Sequence, residues 1–577
     1  MKTIIRKNMK KTLFLIRAIL VVSIIAAFNQ SCTNLDEELY SEVTPDNFFK
    51  TEEEFIAALG DAYTKFSDWA TGDGTLALQE VTTDEMVVPT RGQDWDDGGN
   101  WRRLHLHSWT NEDYQMNNGW SFGFNGVNSA NRLIYVFGTL VEDGTVDAEV
   151  GNAYIAELEA VRGFFYWQLI DMFGNVPLVT DFVNTPAAPP TVPRLEVYNF
   201  VVDNLETAVP KLSKAVDAST YGRMNYYAGQ ALLAKLYLNA EVYTGTPAWQ
   251  KVIDACDEII NSGEYNLESN YFANFNVDNA GSNEIIFAIA YDQVFFQGFN
   301  IAVRTLHYGS QQTYNLTAQP WNGFCTLEEF YNSYDDADLR KGDVGTVDAP
   351  ASKRGNFIAG YQYKADGTPV TDGGFEIPNP GRLPQPLLGD PDGEWLNFGN
   401  IGSTQAQINE LGPQAYRQSG VRIGKWEIAK GSYPDRMSND YAVFRYADVL
   451  LMKAEALWRL NPGDGEALAL VNEVRARAGV PDIGSLDGPL SYDLGGGDVP
   501  GGELFNEIGR EMFAENHKRT NLIRWGLYTD VAKWALPFYN PGDRIEEGEH
   551  TTLFPVHKDK LAANPNLIQN PGYTGAK

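Results

Sequence analysis

Residues 222–260, GRMNYYAGQALLAKLYLNAEVYTGTPAWQKVIDACDEII, decide how this chain folds. Tyr227, Ala231, Ala234 and Leu238 recur at helical spacing and form one apolar stripe. Residues 244–247 break the pattern with turn-forming side chains, and Val252, Ala255, Cys256 and Ile259 form a second stripe beyond them. Two stripes joined by a short turn predict an antiparallel helix pair, and the alanines within them permit close packing. The signature returns late in the chain. Leu450, Ala454 and Leu457 form a stripe, Asn461-Pro462-Gly463 turns, and Ala467, Leu470, Val471, Val474 and Ala478 form the next.

These units have about the tetratricopeptide length, so the expected fold class is mainly α with such helix pairs as its scaffold. Working outward, Thr51 and Glu54 make a capping box before Phe55, Leu59, Ala62 and Phe66. Helical periodicity covers 127–140, 153–173 (ending at Gly174) and 194–212. Residues 75–120 read as loop-rich, because Val87-Val88-Pro89 and Asp97-Gly98-Gly99 break helix. Residues 268–440 are rich in Gly, Pro, Asn and aromatics with little helical period, and read as a large irregular insertion where binding loops sit. The expected division is one domain over 51–577, with an N-terminal helical part to about 267, the insertion, and a C-terminal helical part from about 441.

The N-terminus reads as an export signal. Lys2, Arg6, Lys7, Lys10 and Lys11 precede an apolar stretch over 13–28, too short and too poorly flanked for a transmembrane helix. Ser31-Cys32 follows, then Asp36, Glu37 and Glu38. Residues 1–31 are expected to be removed as a lipoprotein signal, with Cys32 acylated and 32–50 serving as a tether; a plain secretory cut near Ala27 is the alternative. The formal charge is 45 − 76 = −31 and becomes 39 − 76 = −37 without the six cations of the leader. So acidic a chain has no general affinity for nucleic acid or anionic lipid. The 29 Tyr and 13 Trp exceed what a core alone requires, and these side chains favour wet binding faces. Cys256 and Cys325 make no disulfide framework.

Five segments, in order, resemble the SusD/RagB family of outer-membrane lipoproteins. They are AELEAVRGFFYWQLIDMFGNVPLVT (156–180), GRMNYYAGQALLAKLYLNAEVY (222–243), FRYADVLLMKAEALWRL (444–460) with VNEVRARAGVPD (471–482), EIGREMFAENHKRTNLIRWG (507–526) and LFPVHKDKLAANPNLIQNPGY (553–573). His557 replaces the family's usual proline and Asn516 its usual glycine. The resemblance implies a SusD-like, mostly helical fold at the outer membrane. It also implies capture of oligosaccharide or polysaccharide as a hinged lid on a SusC-type TonB-dependent barrel, without catalysis or cofactor. The glycan expected is neutral, first a laminarin-type β-glucan, then a fructan such as levan, with alginate behind both.

A glycan site needs exposed Trp and Tyr planes beside polar donors and acceptors. The densest such cluster is TTDEMVVPTRGQDWDDGGNWRRLHLHSW, 82–109, holding Asp84, Arg91, Asp94, Trp95, Asp96, Trp101 and Trp109. Trp95 and Trp101 are the first candidates for ligand contact, with core filling as the alternative. A second cluster, QPWNGFCTLEEFYNSYDDADLRK, 319–341, offers Trp321, Asn322 and Cys325, the cysteine either lining the site or simply buried. Arg382, Tyr416 and Arg422 form a weaker third group. His105 and His107 lack a third metal ligand, and Asp335, Asp336 and Asp338 lack the Gly and Glu of a calcium loop, so no metal is expected. Arg510, Glu511, Glu515, Arg519, Asn521 and Arg524 read as a structural ion-pair network. Two other functions stay open: a peptide-binding helical scaffold, and a surface glycoside hydrolase with a carboxylate pair.

Overall fold

Asn225 opens the helix Tyr226–Leu238 by accepting the Ala228 N–H, and the stripe Tyr227, Ala231, Ala234, Leu238 is buried as the spacing predicts. The computed structural model describes residues 52–91, 94–346, 348–370, 395–396, 415, 419–535 and 543–575, with backbone alone at 52, 53, 395 and 396. Helix Tyr226–Leu238 packs on Trp249–Ile260, whose Val252, Ala255, Cys256 and Ile259 face it from the core. Trp249–Ile260 in turn packs on Tyr446–Leu460, and that helix on Gly465–Arg477 and Gly502–Met512. The helix stack therefore continues from 260 to 446 as if the intervening chain were absent.

At the other end of the stack, Tyr114–Glu142 packs along Ala148–Phe173, which packs on Arg194–Ala208. Asp147 caps Ala148–Phe173 by accepting from Glu149 and Val150 N–H. The helix ends where Gly174 turns left-handed at φ +69°. Helix Tyr114–Glu142 begins well before residue 127, where periodicity placed it. Its early turns carry Gly119, Gly123 and Gly126, poor helix formers that here let the partner helix approach. A Cβ on Gly126 would lie 2.2 Å from the Phe165 ring, and one on Gly123 would lie 2.4 Å from Leu169 Cγ. Gly126→Ala is expected to cost about 1–3 kcal/mol by overpacking, read as a lowered urea midpoint with unchanged slope.

The segment read as loop-rich is irregular but not superficial. Residues 74–91 are buried throughout and contain one wide helical turn, Ala77–Val81, and the strand Met86–Val87. Helix Asn100–His105 follows. The region of the insertion contributes short sheets. Ile285–Ile289 pairs antiparallel with Tyr441–Arg445, Met86–Val87 with Cys325–Thr326, and Phe357–Tyr361 with Val344–Gly345 (parallel) and Arg422–Ile423.

Both departures from the family pattern have local reasons. Asn516 sits at φ +65°, a conformation glycine adopts freely and asparagine tolerates, and its side chain donates to the Trp69 carbonyl at 3.0 Å. His557 caps the helix Lys558–Ala563, its ring accepting the Asp559 N–H. The Thr51 capping box lies outside the described residues, while Phe55, Leu59, Ala62 and Phe66 are all buried. Among the described residues no helix is long and apolar enough to cross a membrane.

Candidate functional site

The two-residue ladder between Met86–Val87 and Cys325–Thr326 sets Val87 opposite Cys325 and joins the two aromatic clusters. Beneath them lies a clamp. Arg91 donates from Nε to the Asn322 carbonyl at 2.7 Å and from Nη2 to Cys325 Sγ at 3.1 Å and the Ser419 carbonyl at 2.9 Å. Arg422 donates from Nε and Nη2 to Asn322 Oδ1 at 3.0 and 2.6 Å, and from Nη1 to the same Ser419 carbonyl at 2.9 Å. Asn322, so held, is left-handed at φ +58°. Its neighbour Trp321 accepts the Trp95 indole N–H on its carbonyl at 2.7 Å.

What this clamp presents outward is an aromatic platform. Trp321 is 47% exposed, Trp95 is half-buried, and their rings lie 6.3 Å apart. The Arg304 guanidinium lies over both, 5.8 Å from Trp95 and 5.0 Å from Trp321. Arg304 is fixed by Asp73 through both Nη atoms, one at 2.8 Å, and Tyr114 donates to that carboxylate at 3.3 Å. Burial and Asp73 push the Tyr114 phenol upward, so it remains a proton donor. Tyr308 donates to Asp94 Oδ2 at 2.5 Å beside the exposed rim. Trp95 itself adopts φ +60°, backed by Trp101 and Phe324 at 5.5 and 5.9 Å. A Cβ on Gly323 would lie 2.4 Å from the Trp95 ring, which leaves room there for glycine alone. Exposed indole beside fixed carboxylate and phenol matches a ligand with apolar faces and a polar rim.

Several sequence candidates fall away from this surface. Trp101 is 1% exposed and donates to Asp97 Oδ2 at 2.6 Å, so it supports Trp95 instead of meeting a ligand. Trp109 is buried against Phe554 and donates to the Tyr573 hydroxyl at 2.8 Å. Asp84 is buried beside the Lys518 ammonium at 3.2 Å. Arg91, Asn322, Cys325 and Arg422 are all buried in the clamp, where they position the platform without reaching its face. Asp94 and Asp96 lie at the rim, Asp96 holding Arg102 at 2.9 Å. Arg382, Tyr416 and Cys32 lie outside the described residues. Arg304, Tyr308, Tyr114 and Asp73 were not foreseen; each stands alone in sequence and gains meaning from partners far along the chain.

The other candidates are structural. His105 and His107 are buried, their ring N–H groups donating to the Val81 and Thr82 carbonyls at 3.2 and 2.9 Å. Burial pushes them down to about 4 and about 3, so both are neutral. Asp338 is committed to Arg340 at 2.7 Å, and Asp336 to Lys341 at 2.8 Å. The Arg510 neighbourhood is the ion-pair network its composition suggests, with Arg519 on Asp171 and Arg524 on Glu455, both at 2.7 Å.

The SusD family profile matches residues 283–573, and a profile described as starch-binding, associating with the outer membrane, matches 35–238. This chain belongs to the SusD family. The starch-binding protein SusD of Bacteroides thetaiotaomicron is 25% identical over 75% of this chain and 74% of its own length. The SusD-like protein P2 of Formosa agariphila is 23% identical over 94% of this chain and 97% of its own. Among solved structures, a laminarin-binding SusD-like protein superposes with a TM-score of 0.64 at 20% identity, covering 91% of this chain and all of that one. The surface glycan-binding protein A of B. thetaiotaomicron, solved with laminarihexaose, has a TM-score of 0.62 at 19% identity over 90% of this chain and 99% of its own. The SusD-like helical fold is thus that of the family.

Proposed function

We propose that this chain is a non-catalytic, lipid-anchored glycan-binding protein of the outer cell surface that passes its ligand to a SusC-type TonB-dependent barrel. The observation that carries the reading is the Trp95–Trp321 platform, an exposed indole and a half-buried one set above a buried arginine clamp. Family membership and the export signal ending at Cys32 support the location and the barrel partner. The two carboxyls that burial raises most, Glu80 and Glu85, are not placed to serve as a glycosidase acid. Burial raises Glu80 and Glu85, the latter to about 7, but both are sealed in the core where no substrate reaches.

The ligand proposed is neutral, first a laminarin-type β-glucan and then a fructan. Each arginine around the platform face already has its carboxylate: Arg304 has Asp73, Arg102 has Asp96 and Arg103 has Asp113. A polyanion such as alginate would find no uncompensated charge among them. The named ligands of the laminarin-binding and laminarihexaose-bound structural neighbours support the same order. The test is calorimetric titration of the full chain in detergent with laminarin, levan, starch and alginate, beside Trp321→Ala. One neutral glycan is expected to bind, with affinity falling about tenfold or more in the variant, as loss of one stacking ring implies. Binding of alginate alone would overturn the neutral ligand, and silence from every glycan would overturn the role.

A further inference from the structure

One cation sits behind both indoles of the platform. The Arg304 side chain is 6% exposed and Trp321 is 47% exposed, so the guanidinium lies on the inner side of the rings and leaves their outer faces to solvent. Among the described residues, the Trp321 ring is paired with one other ring, Trp95, and with one cation, Arg304. Its backbone is fixed separately. Trp321 N–H donates to the Val303 carbonyl at 2.7 Å, and Gly323 and Phe324 N–H donate to the Arg304 carbonyl at 2.7 and 2.9 Å. These bonds lay residues 321–324 along helix Ile301–Thr305, but they choose no rotamer for a half-exposed indole. What the ring packs on decides that. Arg304 is itself held at both ends. Its fork is bound by Asp73 through both Nη atoms. The Asp73 carbonyl accepts from Asn118 Nδ2 at 2.9 Å, and the preceding Gly72 N–H donates to Asn300 Oδ1 at 3.0 Å. A Cβ on Gly72 would lie 3.1 Å from Arg304 Cδ and 3.1 Å from Phe324 Cζ, so the stem of Arg304 is walled in as well.

We infer that Arg304 is the positioning residue of the platform, setting the orientation of the Trp321 ring on which a sugar stacks. What stacks there rests on the proposed glycan role; the positioning is a property of the free protein. A guanidinium is planar and attracts a ring face most strongly where water is excluded, so it sets the tilt of the indole as well as its distance. Arg304 does not reach the ligand, because its side chain is buried behind the rings with both Nη atoms turned to Asp73. Nor is it a core ion pair of the kind that decides folding. The Asp73 carboxylate is 41% exposed, so solvent takes over its charge when Arg304 is removed. The backbone clamp around Asn322 and the cation under the rings thus divide the work, one placing residue 321 and the other aiming its side chain.

Near-ultraviolet circular dichroism of the full chain in detergent, with no glycan present, reads the orientation. The spectrum of wild type minus that of Trp321→Ala isolates the signal of the Trp321 ring in its surroundings. The same subtraction made in an Arg304→Met background is expected to give a signal about half as large or smaller, because a ring that samples several wells averages its dichroism. Asp73→Asn, which frees the fork without touching the buried side chain, should act in the same direction. Calorimetric titration with the preferred neutral glycan follows the same cycle. Arg304→Met should weaken binding about fivefold, and the double variant should bind no weaker than Trp321→Ala alone, because Arg304 acts through that ring. An undiminished Trp321 signal in both backgrounds, or losses of affinity that multiply in the double variant, would overturn the assignment. If wild type binds no glycan, the glycan role fails while the dichroism still decides the positioning.

Discussion

Arg445→Met is expected to remove about 3–5 kcal/mol of folding free energy, more than any other single substitution argued for this chain. Arg445 is fully buried at the end of strand Tyr441–Arg445. It meets Glu284 at 2.5 Å, Glu511 at 3.0 Å and Glu515 at 2.7 Å. Around it, Arg340, Lys425, Arg475, Arg477 and Arg510 interleave with Asp338, Glu503 and Glu507. Six cations thus face six carboxylates. Removing one cation leaves buried carboxylates without compensation, and methionine fills the volume without supplying a charge. The arginines and lysines hold Glu507 down to about 2 and Glu511 well below the usual carboxylate range, so these acids cannot cheaply take up a proton instead. The network ties the sheet strand, the 338–340 turn and helices Gly465–Arg477 and Gly502–Met512 together, so the loss should appear in the global transition. Urea unfolding followed by far-ultraviolet dichroism checks it, and a loss under about 1 kcal/mol would mean that water enters and the charges behave as a surface pair.

That network marks where sequence reading stopped. The run from Arg510 to Arg524 was legible as ion-pair material because opposite charges recur on one helical neighbourhood. Its partners were not: Glu511 meets Arg340, 171 residues away. The helix stripes were legible wherever apolar spacing alone decided burial, as at Phe55, Leu59, Ala62 and Phe66. The start of Tyr114–Glu142 was hidden because Gly119, Gly123 and Gly126 look like helix breakers when their purpose is contact with Ala148–Phe173. At the candidate site, composition picked out Trp95 and Trp321, which meet across 226 residues through a two-residue ladder. Composition could not tell that Trp101, six residues from Trp95, turns inward from helix Asn100–His105. Arg91 and Arg422 looked like ligand donors by type, and burial makes them the support of Asn322 instead. Polar side chains announce that they will be satisfied, but only the fold says by whom.

Stability is expected to decline gently from pH 6.5 to 4.5 and steeply below, because two opposed sets of buried groups titrate. His105, His107 and His517 are pushed below 6.5 by burial, so the stability they contribute is complete above pH 6.5 and drains as pH falls. Glu80 and Glu85 are raised from 4.5, chiefly by burial, so their contribution is complete below pH 4.5 and is lost as pH rises, through about 7 for Glu85. Each group changes folding free energy by about 1.4 kcal/mol per pH unit inside its window. Three histidines against two carboxyls leave a net fall of about one such step per unit between 6.5 and 4.5. Below 4.5 the unfolded chain protonates its own glutamates, the offset ends, and Glu507 and Glu511 begin to lose their ion-pair contribution. Single variants separate the sets. Glu85→Gln removes an offset and should steepen the upper limb by about 1.4 kcal/mol per unit, whereas His107→Asn should flatten it by a similar amount. Urea midpoints measured across this range for wild type and both variants decide the matter. Three parallel curves would mean that these buried groups exchange protons with solvent as freely in the folded chain as in the unfolded one.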